Sequence, residues 1–209
     1  MFSADTQWEE WGRKDPYYAV LTCEDYRSGK LSKEARKQFF QSSEDHIDQV
    51  MHTIRNTLDD TFSPLRAVDF GCGVGRLVIP LAKICREVVA VDISPSMLDE
   101  AKRNVGVAQP TADVSFERSD HPWMETCKPF DLIHSFIVFQ HIPAAKGMDI
   151  LRRLLDKTAP GGCRPSFHLP QGLLPAAQDA EFSATSHSPT ALPAQLTAGK
   201  IHFRSADAD

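Results

Sequence analysis

The chain of 209 residues is 42% hydrophobic and 24% charged, which is enough apolar material for one well-buried domain with a small appendage. Its net charge of -5 comes from interspersed acids and bases, so it lacks the basic stripe that a nucleic-acid footprint requires, and a small molecule is the expected partner. No apolar run approaches the roughly 20 residues of a membrane-spanning helix, and five scattered cysteines without CxxC spacing argue against a disulfide framework or a zinc site.

The first residues, MFSADTQWEEWG, carry no apolar signal core, and with the cysteine usage this makes a reducing cytoplasm the expected location. Residues 1–60 are expected to form a helical N-terminal extension. Ile47, Val50, Met51, Ile54 and Leu58 recur at three- and four-residue intervals and draw one apolar stripe. The mixed-charge stretch KLSKEARKQFF is the solvated face of a helix, and Pro16 in WEEWGRKDPYYAVLT separates one helix from the next.

From Leu65 the pattern changes, and a core is expected over residues 61–170. LRAVDF reads as a short buried strand, followed by glycines at alternate positions (Gly71, Gly73, Gly75) and an apolar helix from about Arg76 to Cys85. EVVAVDIS is a second strand, β-branched and buried on both faces. Ser94 and Pro95 supply a capping side chain and a first-turn proline for the helix that MLDEAKRN continues. ADVSFERSD and FDLIHSFIVF are a third and a fourth strand, and KGMDILRRLLDKTAPGG is an amphipathic helix stopped by proline and two glycines. This alternation predicts an α/β fold: a Rossmann-like open, mostly parallel sheet with helices on both faces.

After Gly162 a fifth buried strand is due, yet CRPSFHLPQGLLP puts Pro165 where a ladder donor is needed. Residues 171–209 are rich in Ala, Ser, Pro and Thr without periodicity and read as a flexible or aberrant tail. The sheet is therefore expected to be incomplete after the fourth or fifth strand.

In open α/β sheets, ligands bind beyond the carboxyl ends of the strands. The glycine turn lies at that end of the first strand. Asp92 ends the second, where a carboxylate can accept hydrogen bonds from both hydroxyls of a ribose. A nicotinamide dinucleotide site usually reads GxGxxG, but here the third position of that pattern is the bulky Arg76. The spacing is GxGxG, with Asp69 two residues ahead. This stretch resembles the first motif of the class I S-adenosylmethionine-dependent methyltransferases. VVAVDIS, SPSMLDEAKRN, PFDLIHSFIVFQHIP and LLDKTAPGG are similar to later segments of the small-molecule branch of that family, in the same order over residues 60–165.

The resemblance implies S-adenosylmethionine as cofactor. Gly71 and Gly73, with Gly75 completing the motif, would pass under its methionyl and ribose portions. Asp69 would hold the amino-acid end, directly or through water, and Asp92 the ribose hydroxyls. Ile93 and Met97 would contact the adenine, Asp120 would accept its amino group, and His121 would offer a backbone N–H. Ser135 and Phe136 would face the methyl-transfer centre. His141 is the candidate general base, ahead of His134, which alternation puts on the opposite face from its neighbours; both also read as structural histidines. Met97 reads equally as helix core and Asp120 as a turn residue. Trp8, Trp11, Tyr17 and Tyr18 are candidates for a lid over the substrate, with the tryptophans read first as anchors. The expected function is methyl transfer to a small molecule. The alternatives are a truncated relative that binds cofactor or a partner without turnover and, more distantly, a nicotinamide-dependent dehydrogenase.

Overall fold

The computed structural model describes residues 4–159 and the backbone of residues 166–168, 195–197 and 200–202. The elements in chain order are α1 (Ala4–Lys14), α2 (Pro16–Val20), a 3-10 turn (Glu24–Tyr26), α3 (Lys33–Thr57), β1 (Arg66–Phe70), α4 (Val78–Ile84), β2 (Glu87–Asp92) and α5 (Pro95–Ala108). They continue with β3 (Asp113–Arg118), α6 (Trp123–Thr126), β4 (Leu132–Phe136), a 3-10 turn (Phe139–His141), α7 (Ala144–Leu155), β5 (Ser166–His168), β6 (Gln195–Thr197) and β7 (Lys200–His202).

The sheet order is β3-β2-β1-β4-β5-β7-β6. Strands β1 to β5 run parallel, and β7 is antiparallel to both β5 and β6. From β1 the chain builds outward through β2 and β3, then returns to set β4 on the other flank of β1. A crevice opens at that reversal, beyond the strands' carboxyl ends.

Alternation along the buried strands divides the core into two layers. Ala67, Val88, Ala90 and Leu132 face α3, α4 and α5, meeting the α3 stripe of Ile47, Val50, Met51 and Ile54. Val68, Phe70, Val89, Val91 and Ile133 face the other way, onto Trp123, Met124, Phe139 and Leu154. The predicted doubly covered, mostly parallel sheet is what forms. No helix among the described residues is long and apolar enough to cross a membrane.

The boundaries differ from the sequence expectation at two points. Helix α4 begins at Val78 rather than Arg76, because Gly75 closes a turn onto the Cys72 carbonyl first. Strand β4 ends at Phe136 because Ile137 has φ 59, a conformation outside the extended region and costly for a β-branched residue. The four strands up to β4 are five or six residues long, while the three beyond Gly162 have three residues each. The tail expected over residues 171–209 lies outside the described residues except at β6 and β7.

The N-terminal helices fasten to α5. Ser94 caps α5 by accepting the Met97 N–H at 3.1 Å, and its hydroxyl donates to Glu9 Oε2 at 2.7 Å. Ser96 adds its N–H and its hydroxyl to the same carboxylate. Burial pushes the Glu9 carboxyl up, but these donors and Arg13 outweigh it and hold the pKa down at about 2. Because the folded value is depressed, this contribution to stability is full above about pH 4.5 and is lost as pH falls from there through about 2. Further along, the Tyr17 hydroxyl donates to Glu100 at 2.5 Å and receives Arg36, tying α2 and α3 to the outer side of α5.

Replacing Glu9 by alanine removes this latch without touching the sheet. Three hydrogen bonds of about 1 kcal/mol each are at stake, so amide exchange over residues 4–14 is expected to accelerate at least tenfold while β1 and β2 keep their protection. Equal acceleration in both regions would mean that α1 does not open independently.

Candidate functional site

The site grows from the turn after β1. The N–H groups of Gly71 and Cys72 both donate to the Val91 carbonyl, at 2.7 and 2.9 Å, which ties the turn to β2. Gly71 (φ 79) and Gly73 (φ 52) then carry the backbone through a left-handed path that side chains resist. A β-carbon on Gly71 would overlap Val138, and one on Gly73 would lie 2.6 Å from Val20. Both valines line the cleft above the turn.

Asp92 is the centre of the turn's polar structure. Its Oδ2 accepts the Gly73 N–H at 2.8 Å and its Oδ1 the Ser94 N–H at 2.9 Å, while the side chain is 9% exposed. Burial raises its pKa to about 6 and the nearby Asp69 charge adds to this, against the opposing bonds from Ser94, Gly73 and Ile93. The folded protein thus keeps a proton that the unfolded chain releases from about pH 3.8 upward. Its contribution to stability is full below that value and is lost as pH rises through 6, a swing of about 3 kcal/mol.

Above the turn lies a cleft open to solvent, and the space between its walls, with the solvent at its mouth included, is about 950 Å³. Gly71, Gly73, Asp92, Ile93, Met97 and Ser119 form its wall on the β1–β2 side. On the β4–α7 side the wall comprises Phe136, Ile137, His141, Ile142, Lys146 and Ile150, and α1 contributes Asp5 and Trp8. Burial lowers the His141 pKa, so the ring is neutral at physiological pH. Trp8 meets this ring edge to face at 5.0 Å between centroids, and the Gln140 amide contacts its Nε2 at 3.1 Å.

Gly71, Gly73, Asp92, Ile93, Met97, Phe136 and His141 therefore meet in one cleft, whereas Asp69, Gly75, Asp120, His121 and Ser135 lie outside its wall. Asp69 turns into the sheet layer beneath, where its Oδ1 pairs with His134 Nδ1 at 2.8 Å, both side chains 2% exposed. His134 Nε2 in turn contacts His46 Nε2 of α3 at 3.1 Å. Gly75 supports helix packing, since a β-carbon there would stand 3.1 Å from that of Ala101. Asp120 is exposed and pairs with Arg118, so its neighbour Ser119 forms the wall instead. The His121 N–H is taken by the Arg118 carbonyl at 3.1 Å, and the Ser135 hydroxyl by the Phe70 carbonyl at 2.8 Å.

The aromatic candidates separate in the same way. Trp8 lines the cleft, contrary to the anchoring role first read for it, whereas Trp11 is exposed. Tyr17 is buried against Phe39, and Tyr18 lies under the Arg27 guanidinium. Periodicity could not have found Ile137, Val138 or Lys146, because they enter the cleft only where β4 stops short.

Residues 67–162 match the methyltransferase domain family. That segment holds the turn, Asp92 and His141. By this match the segment is similar to a methyltransferase domain. The domain is similar to the magnesium-protoporphyrin O-methyltransferase of Rhodobacter capsulatus, 35% identical over 85 residues that cover 41% of this chain and 34% of that protein. The ubiquinone biosynthesis O-methyltransferase of Ruegeria pomeroyi is 26% identical over 157 residues, 74% of this chain and 55% of that one. The chain thus spans between a third and just over half the length of these relatives. In fold it is similar to the magnesium protoporphyrin IX methyltransferase of Synechocystis PCC 6803, solved with S-adenosylmethionine bound (TM-score 0.54, 18% identity, 80% of this chain and 76% of that one).

The cleft fits S-adenosylmethionine on one direct observation. Asp92 faces the cleft and accepts three backbone N–H bonds, whereas a carboxylate offers about four acceptor positions, so capacity is left for a hydroxyl. Carboxyl-detected NMR is expected to give Asp92 a midpoint near pH 6, shifted downward in an Asp69→Asn variant. An unshifted midpoint in that variant would remove Asp69 as a contributor.

Proposed function

We propose that this protein is an S-adenosylmethionine-dependent methyltransferase that acts on a small molecule. The observation that carries the reading is the continuity of the cleft. One uninterrupted space runs from the Asp92 carboxylate to the His141 ring, between the wall at the β1–β2 side and the wall at the β4–α7 side. The family match over residues 67–162 and relatives named for O-methylation of small molecules support it.

On this reading Asp92 receives the ribose hydroxyls, the backbone at Gly71 and Gly73 passes close beneath the cofactor, and Ile93 and Met97 offer apolar contact to the adenine. Ser119 takes the position at the third strand that Asp120 was expected to fill. Asp69 acts from below the turn, through its pairing with His134, rather than by contact. When bound, S-adenosylmethionine supplies an electrophilic methyl group on a sulfonium, which leaves without acid assistance. The protein's share is alignment of the acceptor and exclusion of water by Trp8, Phe136, Ile142 and Ile150. His141, neutral at physiological pH, accepts the acceptor's proton at Nε2, where the exposed Gln140 amide now sits.

Calorimetric titration with S-adenosylhomocysteine tests the cofactor end. Saturable binding is expected, weakened at least tenfold in Asp92→Ala, since hydrogen bonds to a charged group are worth about 1.5–3 kcal/mol. Affinity is also expected to fall as pH drops through 6, where Asp92 takes up a proton. Absence of binding by the folded protein would overturn the reading. Turnover is tested with methyl-labelled cofactor and a pooled small-molecule extract. His141→Ala is expected to cut label transfer by about 100-fold or more, the usual reach of general-base catalysis.

A further inference from the structure

The charged groups on the cleft wall are few, and their positions are informative. Among the described lining residues the carboxylates are Asp92 and Asp5, and the one permanent cation is Lys146, in the first turn of α7. Asp92 belongs to the β1–β2 side, where backbone N–H groups already hold it. Lys146 belongs to the opposite wall, with Ile142, Pro143 and Ile150 around it and His141 on the same stretch of chain.

The ammonium of Lys146 is loosely held. Its partner is Asp5 of α1, with Nζ 3.6 Å from Oδ2, beyond a good charge-assisted hydrogen bond. Both side chains are about half exposed, at 57% and 51%, and such pairs contribute little to folding. Asp5 rides on the same helix as Glu9, whose carboxylate latches α1 to α5. A protein-borne carboxylate therefore stands against Lys146 at the cleft, on a helix fastened independently of that contact. An incoming acidic group can take over the ammonium without dismantling the lid.

We infer that the methyl acceptor is an apolar molecule bearing one carboxylate, which Lys146 receives in exchange for Asp5. The substrate's apolar body lies along Trp8, Ile142 and Ile150, with its reacting atom toward His141. The charge balance selects a monoanion: Lys146 offers a single positive charge, and Asp5 nearby repels a second negative one. An amine-bearing acceptor would instead face a repelling ammonium. This inference rests on the proposed methyltransferase reading and supplies its substrate class.

The test uses the full chain, with and without saturating S-adenosylhomocysteine, titrated by calorimetry with 2-naphthoate and with its neutral isostere 2-naphthamide. Naphthoate is expected to bind at least tenfold more tightly. Lys146→Met should bring the ratio to about one while S-adenosylhomocysteine affinity stays unchanged, and Asp5→Asn should raise naphthoate affinity severalfold. Equal binding of the two probes, a ratio unaffected by Lys146→Met, or no binding of either probe would each overturn the proposal. S-Adenosylhomocysteine binding alone reports on the cofactor reading, so failure of that reading and failure of this one give different results.

Discussion

A buried carboxylate organises this end of the protein. Asp92 sits at the tip of β2 in a low-dielectric setting that disfavours its charge. Two segments bend around it to supply donors: the glycine turn through Gly73 and the start of α5 through Ser94. The turn can deliver its N–H only along a left-handed path, so the glycines and the acid are parts of one device. Ser94 then passes the organisation outward, since its hydroxyl caps α5 and also donates to Glu9 of α1. Helix α1, which carries Trp8 and Asp5, is thereby positioned two hydrogen-bonding steps from that carboxylate.

A second polar string lies beneath the same turn, on the α3 side of the sheet. Asp69, His134 and His46 follow one another at hydrogen-bonding distances from the sheet into the helix layer. Arg76 is buried beside them, its guanidinium near the rings of Phe39 and Phe136 and hydrogen-bonded to Ser42. Burial depresses the Arg76 pKa, and the Asp69 charge restores part of it. Register explains the pairing. Asp69 and His134 are direct partners across the β1–β4 ladder, so their side chains emerge on the same face.

The cleft itself is opened by strain. Had β4 run on through Ile137 and Val138, those side chains would have alternated across the sheet. Instead Ile137 takes φ 59, the strand ends, and Val138 comes to rest over Gly71. A β-branched residue in that conformation is unfavourable by about 1–3 kcal/mol and persists only because its surroundings dictate it. The 3-10 turn that follows turns His141 back toward the space between the sheet and α1, next to Trp8.

Much of this was legible in the sequence, because the signals involved are local. Hydrophobic alternation, the Ser94–Pro95 helix start and the spacing of three glycines between two buried strands fixed the sheet's parallel core and put Gly71, Gly73 and Asp92 at its carboxyl end. Ile93 and Met97 are expected there from the resemblance of their segments to the methyltransferase family, and His141 as the candidate base of the segment after the fourth strand. The misplacements share one physical cause. Asp69, Asp120, His121 and Ser135 lie at the expected points along the backbone, but where each polar group finds its partner depends on chain that is distant or differently turned: His134 for Asp69, the Phe70 carbonyl for Ser135, and the Arg118 turn for Asp120 and His121. Lys146 and Asp5 are 141 positions apart by number and meet only because α1 packs over the sheet's open end. Short-range periodicity determines which backbone forms; the tertiary fold decides which buried polar atoms face one another, because satisfying them is a property of the whole packed layer.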